Sequence, residues 1–518
     1  MFFRIFGTMA GAFLSAALLS ATAAPVAAEP LPRLEDIGSP QERAAHARLF
    51  ALVTAGTEAR SEPLPELDRI LQQTPEPTAL RGLIQFYRAG ALFDRDRATE
   101  ARDAVEESVR LLPRYSGPLI LAAMIEAYYD RPSPGADYLL RAAAIDPAAV
   151  RDVDDFDLGN LVSRLRARHD EPRLNLLAAR LFEIGWRGGD LELRSGLARD
   201  LIRARVRAGD IEGARALLPN LTLPSQARDL LTEKAYQSVW PEIETWAGPQ
   251  QSRQWQTYLT ETRARWEASR DPRLAVSFAH ALAAANHNAT LARELLPVLM
   301  GRLDRERDYH LLWTVAPVAG ALARLGRWDE ADALFVHTLA VWPLGSDANA
   351  LNLAANRARL LLYRGRAAEA LAAIDAVIAD AGRWPGHVSP TPLAAMHFVR
   401  ACALHRLGPD SATLSSVALA ANTGSVPTAV ETYLCLERPE AARTVLLDAL
   451  AREELRGAVA DFLQPEDRTP LPGELGGLLD ARRAALRGDP VLLEAAAPHV
   501  RILPYSGRAG APAETTGP

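Results

Sequence analysis

Lysine is almost missing from this chain of 518 residues: Lys234 is the only one among 58 basic residues, so the other 57 are arginine. Cysteine is nearly absent too, with only Cys402 and Cys435. A phosphate-cradling Gly-x-x-x-x-Gly-Lys-Ser/Thr loop needs a lysine after its second glycine, and Lys234 does not follow one. Two cysteines cannot build a cysteine-rich zinc site. No Gly-x-Ser-x-Gly nucleophile elbow and no His-Glu-x-x-His helix occurs. Sustained alternating runs of Val, Ile and Thr are missing, which excludes an all-β reading. A net charge of −6 gives no basic excess for nucleic acid. Runs such as Arg203-Ala-Arg205-Val-Arg207 are offset by acidic residues, and the arginine bias is read as GC-rich codon usage.

The chain does contain a recurring helix–turn–helix pattern. Its clearest copy runs from Gly320 to Pro343. Gly326 closes a first helix, because a residue without Cβ tolerates the left-handed conformation. Ala331 is small where the two helices cross. Leu334, Phe335 and Leu339 form the apolar stripe of the second helix. Pro343 has no amide hydrogen and ends it. Counting back, Val315, Val318, Ala319 and Leu322 line the first helix. Weaker copies follow Phe86, Ala89, Gly90 and Phe93 with Ala101, Val105, Val109 and Pro113, and then Leu139, Ala142, Ile145 and Pro147. Others begin near Arg207, Tyr363 and Glu437, with Ala214, Ala370 and Ala442 in the small position. Leu486-Arg-Gly488-Asp-Pro490 opens a last helix.

This pattern resembles the tetratricopeptide repeat (TPR), and Pro113 and Pro147 stand one family period of about 34 residues apart. Gly326 and Gly365 are 39 apart, so the array is degenerate. The resemblance implies an all-α fold: an α-α superhelix, a right-handed solenoid of antiparallel helix pairs. It also implies that first helices line a concave groove for a protein or peptide partner. Carried over by position, the groove candidates are Met124 and Tyr128, then Trp313 and Arg324 with Ala316, Gly320 and Ala323, then Arg359 and Tyr363.

The expected organisation has five parts. Residues 1–28 read as a secretory signal cut after Ala28, with an uncleaved anchor as the alternative: Arg4 is the basic start, Ile5 to Leu19 is uncharged, and Val26-Ala27-Ala28 supplies the small residues of a cleavage site. No cysteine lies nearby, so a lipid anchor is not expected, and no later run approaches the length of a membrane span. Residues 29–234 are an N-terminal helical repeat block, beginning with a Pro-rich lead-in and with helices expected near 40–59 and 64–73. Residues 235–270 break the rhythm with Trp240, Trp246, Trp255 and Trp266. This stretch reads as an irregular joint with tryptophan filling voids, and alternatively as an aromatic binding surface. Residues 271–504 are repeats with a cap from about 450. Residues 505–518 are read as a disordered tail.

Isolated chemistry is weak. His280 and His287, or His397 and His405, are poorly spaced for a metal, so no metal or cofactor is expected. The acidic stretch Asp152 to Asn160 lacks the distal glutamate of a calcium loop and reads as the charged start of a helix. Cys402 and Cys435 fall on neighbouring first helices. A disulfide is permitted after export, but the spacing of packed helices favours two buried thiols. Some murein lytic transglycosylases carry a helical superhelix, but their catalytic Glu-Ser and Gly-rich stretch are absent here. The sequence therefore reads as an exported, periplasmic or secreted, non-enzymatic adaptor for a protein partner. The alternative is a structural subunit of an envelope polysaccharide-export or secretion assembly, and a hydrolytic enzyme comes third.

Overall fold

The computed structural model describes residues 39–54, 63–346, 348–384, 388, 390–408, 411–421, 425–465 and 473–514. The expected signal segment and residues 29–38 of the lead-in lie outside them. Among the described residues the fold is helical throughout. There is no strand, only one isolated antiparallel bridge between Glu233 and Val500. No described helix is long and apolar enough to cross a membrane.

The pairs are made by one repeated turn. In the hairpin of helices Leu312–Arg324 and Trp328–Val341, Gly326 has φ +78° and the amide of Arg327 donates to the Leu322 carbonyl at 2.8 Å. This bond spans five residues and satisfies a carbonyl that the helix end would otherwise orphan. A Cβ at Gly326 would meet nothing within 4 Å, so backbone conformation, not space, favours glycine here. The same turn recurs at Asp96, Asp130, His169, Gly209, Asn286, Gly365 and Glu437, all with positive φ and all with the matching long bond. Five residues after each comes a buried residue of the second helix: Ala101, Gly135, Leu174, Ala214, Leu291, Ala331, Ala370 or Ala442. At Gly135 an added Cβ would lie 2.9 Å from the Ala123 carbonyl oxygen, which shows how closely that crossing is packed. Val315, Val318, Ala319, Leu322, Leu334 and Phe335 are all at most 1 % exposed, as the repeat reading requires.

The chain divides into two compact units, Met1–Leu201 and Ile202–Pro518, with the division inside helix Leu191–Arg207. The first unit pairs Pro40–Thr54 with Pro63–Gln72, Ala79–Phe93 with Ala98–Leu111, Ser116–Tyr128 with Pro132–Ile145, and Asp155–Ala167 with Glu171–Glu183. The second begins with the five-residue helix Ile211–Arg215, followed by the short helices Pro224–Thr232 and Trp240–Ala247 and the longer Ser252–Ser269. Five pairs follow: Pro272–Ala284 with Asn288–Leu299, the Gly326 hairpin, Ala350–Tyr363 with Ala367–Ala381, Pro390–Leu407 with Ser411–Ala421, and Val426–Cys435 with Pro439–Ala451. Helices Arg456–Leu463, Glu474–Arg487 and Pro490–Ala496 complete it.

The second unit closes on itself. Lys234 N donates to His499 O at 2.9 Å, Arg501 N to Thr232 O at 2.7 Å, and Lys234 Nζ to Ala497 O at 2.6 Å. Helix Arg456–Leu463 packs against helix Pro224–Thr232. The expected cap is therefore more than a cover for the last pair, because it also meets the first helices of its own unit. The tail differs from expectation as well. Disorder was expected from Tyr505, yet residues up to Glu514 are seated on the body: Trp255 Nε1 donates to Gly507 O at 2.6 Å, and His287 Nε2 to Pro512 O at 2.8 Å. A low-complexity segment lacks apolar mass, but its backbone carbonyls still accept hydrogen bonds. A third correction concerns the cysteines, which the structure joins as a disulfide with Cα atoms 5.9 Å apart. The ordinary spacing of packed helices argued against this, but helices Pro390–Leu407 and Val426–Cys435 approach more closely, with Ala401 and Ala403 fully buried beside Cys402.

The acidic stretch works as the expected helix start. Asp154 Oδ1 accepts from Phe156 N at 2.8 Å, and Asp155 Oδ2 takes the amides of Gly189 and Asp190, which ties down the loop from Gly185 to Gly189. A cleft of about 440 Å³ opens between them. Burial, with the Asp154 carboxylate adding to it, pushes Asp157 up to about 7. The folded state therefore holds a proton that the unfolded chain has already lost between about pH 4 and 7.

Three stability measurements follow from these features. Ala331→Leu forces a larger side chain into the helix crossing and lowers unfolding free energy by about 1–3 kcal/mol in urea titration. His169→Gly relieves a left-handed non-glycine residue, less the extra freedom of glycine in the unfolded chain, and raises it by about 0.5–1 kcal/mol. Asp157→Asn stabilises the first unit at pH 7 more than at pH 4, because the wild type loses stability as pH rises through that window. An unchanged pH profile would refute the assignment.

Candidate partner-binding face

The groove candidates fall in both units. In the first, helix Ser116–Tyr128 is buried along almost its whole length. Met124 is 7 % exposed, so its side chain is packing and is withdrawn as a contact residue. Tyr128, at the end of that helix, is partly exposed. It meets Phe93 edge-on at 5.1 Å, and Tyr129 at 5.2 Å, while Phe93 and Tyr129 are 6.0 Å apart. Phe93 closes the preceding first helix, Ala79–Phe93. The three rings therefore come from two successive first helices and meet at their turn ends. Edge-to-face contacts of this kind hold rings in fixed orientations.

Charges surround this cluster. Tyr129 Oη donates to Asp96 Oδ1 at 3.1 Å. Burial and that carboxylate push the Tyr129 phenol above its ordinary value, which keeps it a donor. Asp130 accepts from Arg164 and Arg168 of the next first helix. Beneath, the Glu126 carboxylate lies between Arg102 at 2.8 Å and Arg131 at 2.9 Å, and its side chain is only 4 % exposed. A buried carboxylate without such partners would be strongly destabilising. Sequence reading identified Tyr128 but missed Tyr129, Asp96 and the role of Phe93 as a ring partner. The adjacent pair Tyr128-Tyr129, one repeat after Phe93, was the available signal.

In the second unit Trp313 and Arg324 sit near opposite ends of helix Leu312–Arg324, both partly exposed, and Arg324 lies over Gly320. Ala323 is fully buried and drops out of the face. Arg359 is exposed and donates to Asn356 Oδ1 at 2.8 Å. Tyr363 is corrected. The chain's own helix Glu474–Arg487 packs on the first helices Ala350–Tyr363 and Val426–Cys435. Tyr363 bonds to Arg483, which forks onto Glu431 at 2.5 and 2.9 Å, and burial raises the Tyr363 phenol. Gly473 sits so near that a Cβ there would be 2.6 Å from the Tyr363 carbonyl oxygen. The chain fills this end of the face with its own helix, whose Leu475, Leu479 and Leu486 belong to the core.

The tryptophan-rich stretch packs rings against neighbouring segments. Trp266 is 2 % exposed and stacks on Phe278, Trp240 Nε1 donates to Leu230 O at 2.8 Å, and the Arg501 guanidinium covers the Trp240 ring at 4.5 Å. Among the described residues no group of three or more His, Cys, Asp or Glu side chains is placed to hold a metal.

No protein-family model matches the sequence, and no curated protein matches it. Solved structures similar to this chain include yeast Tom70, at 12 % identity and TM-score 0.34 over 88 % of this chain and 97 % of that one. The TPR domain of P58(IPK) is similar at 12 % identity and TM-score 0.20 over 79 % and 100 %. The Naa15/Naa10 assembly bound to HypK-THB is similar at 11 % identity and TM-score 0.26 over 89 % and 79 %. Scores this low carry no argument about function, and the assignment to stacked antiparallel helix pairs stands on the repeated turn and crossing described above.

Proposed function

We propose that this chain is an exported, non-enzymatic scaffold that binds a protein or peptide partner on the first-helix face of its N-terminal unit. The observation that carries the reading is the ring cluster of Phe93, Tyr128 and Tyr129. It presents partly exposed aromatic edges, held rigidly and rimmed by Asp96 and Asp130. Rigid aromatics beside charged groups are the usual anchors of protein interfaces. The disulfide between two buried residues supports folding in an oxidising compartment, in keeping with the signal-like first 28 residues.

The test starts from partners captured by site-specific crosslinking at Tyr129 in the envelope fraction. The purified partner's affinity is then measured against wild type, Phe93→Ala and Tyr128→Ala. Each substitution is expected to weaken binding by about tenfold or more while leaving helix content unchanged. Equal affinity for all three chains would refute the face. A mature N-terminus at Glu29, read by mass spectrometry, is expected of the exported form, and retention of Met1 to Ala28 would refute export by this signal.

A further inference from the structure

Residues 506–514, Ser-Gly-Arg-Ala-Gly-Ala-Pro-Ala-Glu, are bound in a manner unlike the rest of the C-terminal region. From Leu475 to Leu503 the chain is held by buried leucines and Val500. After Tyr505 no apolar side chain larger than proline remains. Main-chain carbonyls and one carboxylate take over. The Gly507 carbonyl accepts from Trp255 Nε1 at 2.6 Å, with Trp255 only 5 % exposed. The Pro512 carbonyl accepts from His287 Nε2 at 2.8 Å, which fixes the proton on that nitrogen. Glu514 accepts from the Thr290 amide in the first turn of helix Asn288–Leu299, where unpaired amides and the helix dipole favour an anion. Between these points the backbone passes against Gln250, so closely that a Cβ at Gly510 would lie 2.1 Å from its carbonyl oxygen.

The receiving surface is prepared independently of the tail. Gln250 and Gln251 both hold left-handed backbone, with φ 51° and 63°. Gln251 is anchored by donating to Pro224 O at 2.8 Å, and Gln254 by donating to Leu221 O at 2.7 Å. The tail thus adds polar contacts and little apolar burial, which is the profile of a segment that opens at low free energy.

We propose that the channel edged by Gln250, Trp255, His287 and the N-terminal turn of helix Asn288–Leu299 is a peptide-recognition site, occupied in cis by residues 506–514. Its ligand class is a short Gly-, Ala- and Pro-rich peptide with a glycine at the closest approach and a carboxylate four residues later. The site is separate from the aromatic face of the first unit and does not depend on it. A tethered segment competes at an effective concentration in the millimolar range, so a free peptide of the same chemistry binds only as the tail releases.

The experiment uses the full chain and a fluorescent synthetic peptide covering Ser506 to Pro518, read by anisotropy. Gly510→Val in the chain expels the cis segment, and this chain is expected to bind the peptide at least about tenfold more tightly than wild type. The peptide carrying the same Gly510→Val change binds neither chain. Glu514→Lys in the chain, a surface change that leaves the helices intact, is expected to raise peptide affinity to a lesser degree. Exchange of the Thr290 amide with deuterium is expected to accelerate in both variants. If neither variant binds the peptide better than wild type, or if the valine peptide binds as well as the glycine peptide, the proposal is overturned.

Discussion

The fold depends on one geometric demand, the reversal of the chain between the helices of a pair. The turn places one residue in the left-handed region, returns an amide to a carbonyl five residues back, and sets the second helix going on a fixed path. Five residues later the helices cross at a buried position, which is Ala or Gly in six of the eight pairs and so lets those backbones approach closely. Gly326 with Ala331, and Gly365 with Ala370, satisfy both demands. Each pair then exposes an apolar flank that only another pair can bury, so stacking follows from the turn.

The same demand explains what was legible. Where glycine occupies the left-handed position, as at Gly209, Gly326 and Gly365, the repeat is readable from sequence. Where Asp96, Asp130 or Glu437 occupies it, the copy is read from its apolar and small residues and not from the turn, and where His169 or Asn286 occupies it the sequence gives no sign of the turn. Asn and Asp tolerate this conformation through local hydrogen bonding; His and Glu are held in it by the surrounding hairpin. Leu174 and Leu291 at the crossing obscure the pattern further. The aromatic face was half legible. Tyr128 follows from repeat position, but Met124 does not survive, because its helix is buried on nearly every side. Tyr363 lies at the end of its helix and is partly buried under helix Glu474–Arg487, since no local pattern reports which distant segment folds back over a face.

That return of the chain separates the two units in kind. The first presents its helix ends and the ring cluster among them. The second uses helix Glu474–Arg487 to fill its own face, and the bridge between Glu233 and Val500 to join its beginning and end. The tryptophans of the joint belong to this closure: Trp240 lies under Arg501, and Trp255 holds Gly507. A stretch that looks like a break in a repeat is therefore where Arg501 and Gly507 are seated.

The bridge at Glu233 and Val500 also bears on how the second unit is synthesised. An open array of repeats folds progressively, each pair settling on the one before as it leaves the ribosome. Here the first helices of the unit await partners more than two hundred residues downstream, so their final contacts form only after Val500 has been made. Long-range closure of this kind raises contact order and slows folding. A chain arrested before Val500 would hold a stack of paired helices with its opening seam unsealed, a species for a chaperone to shield.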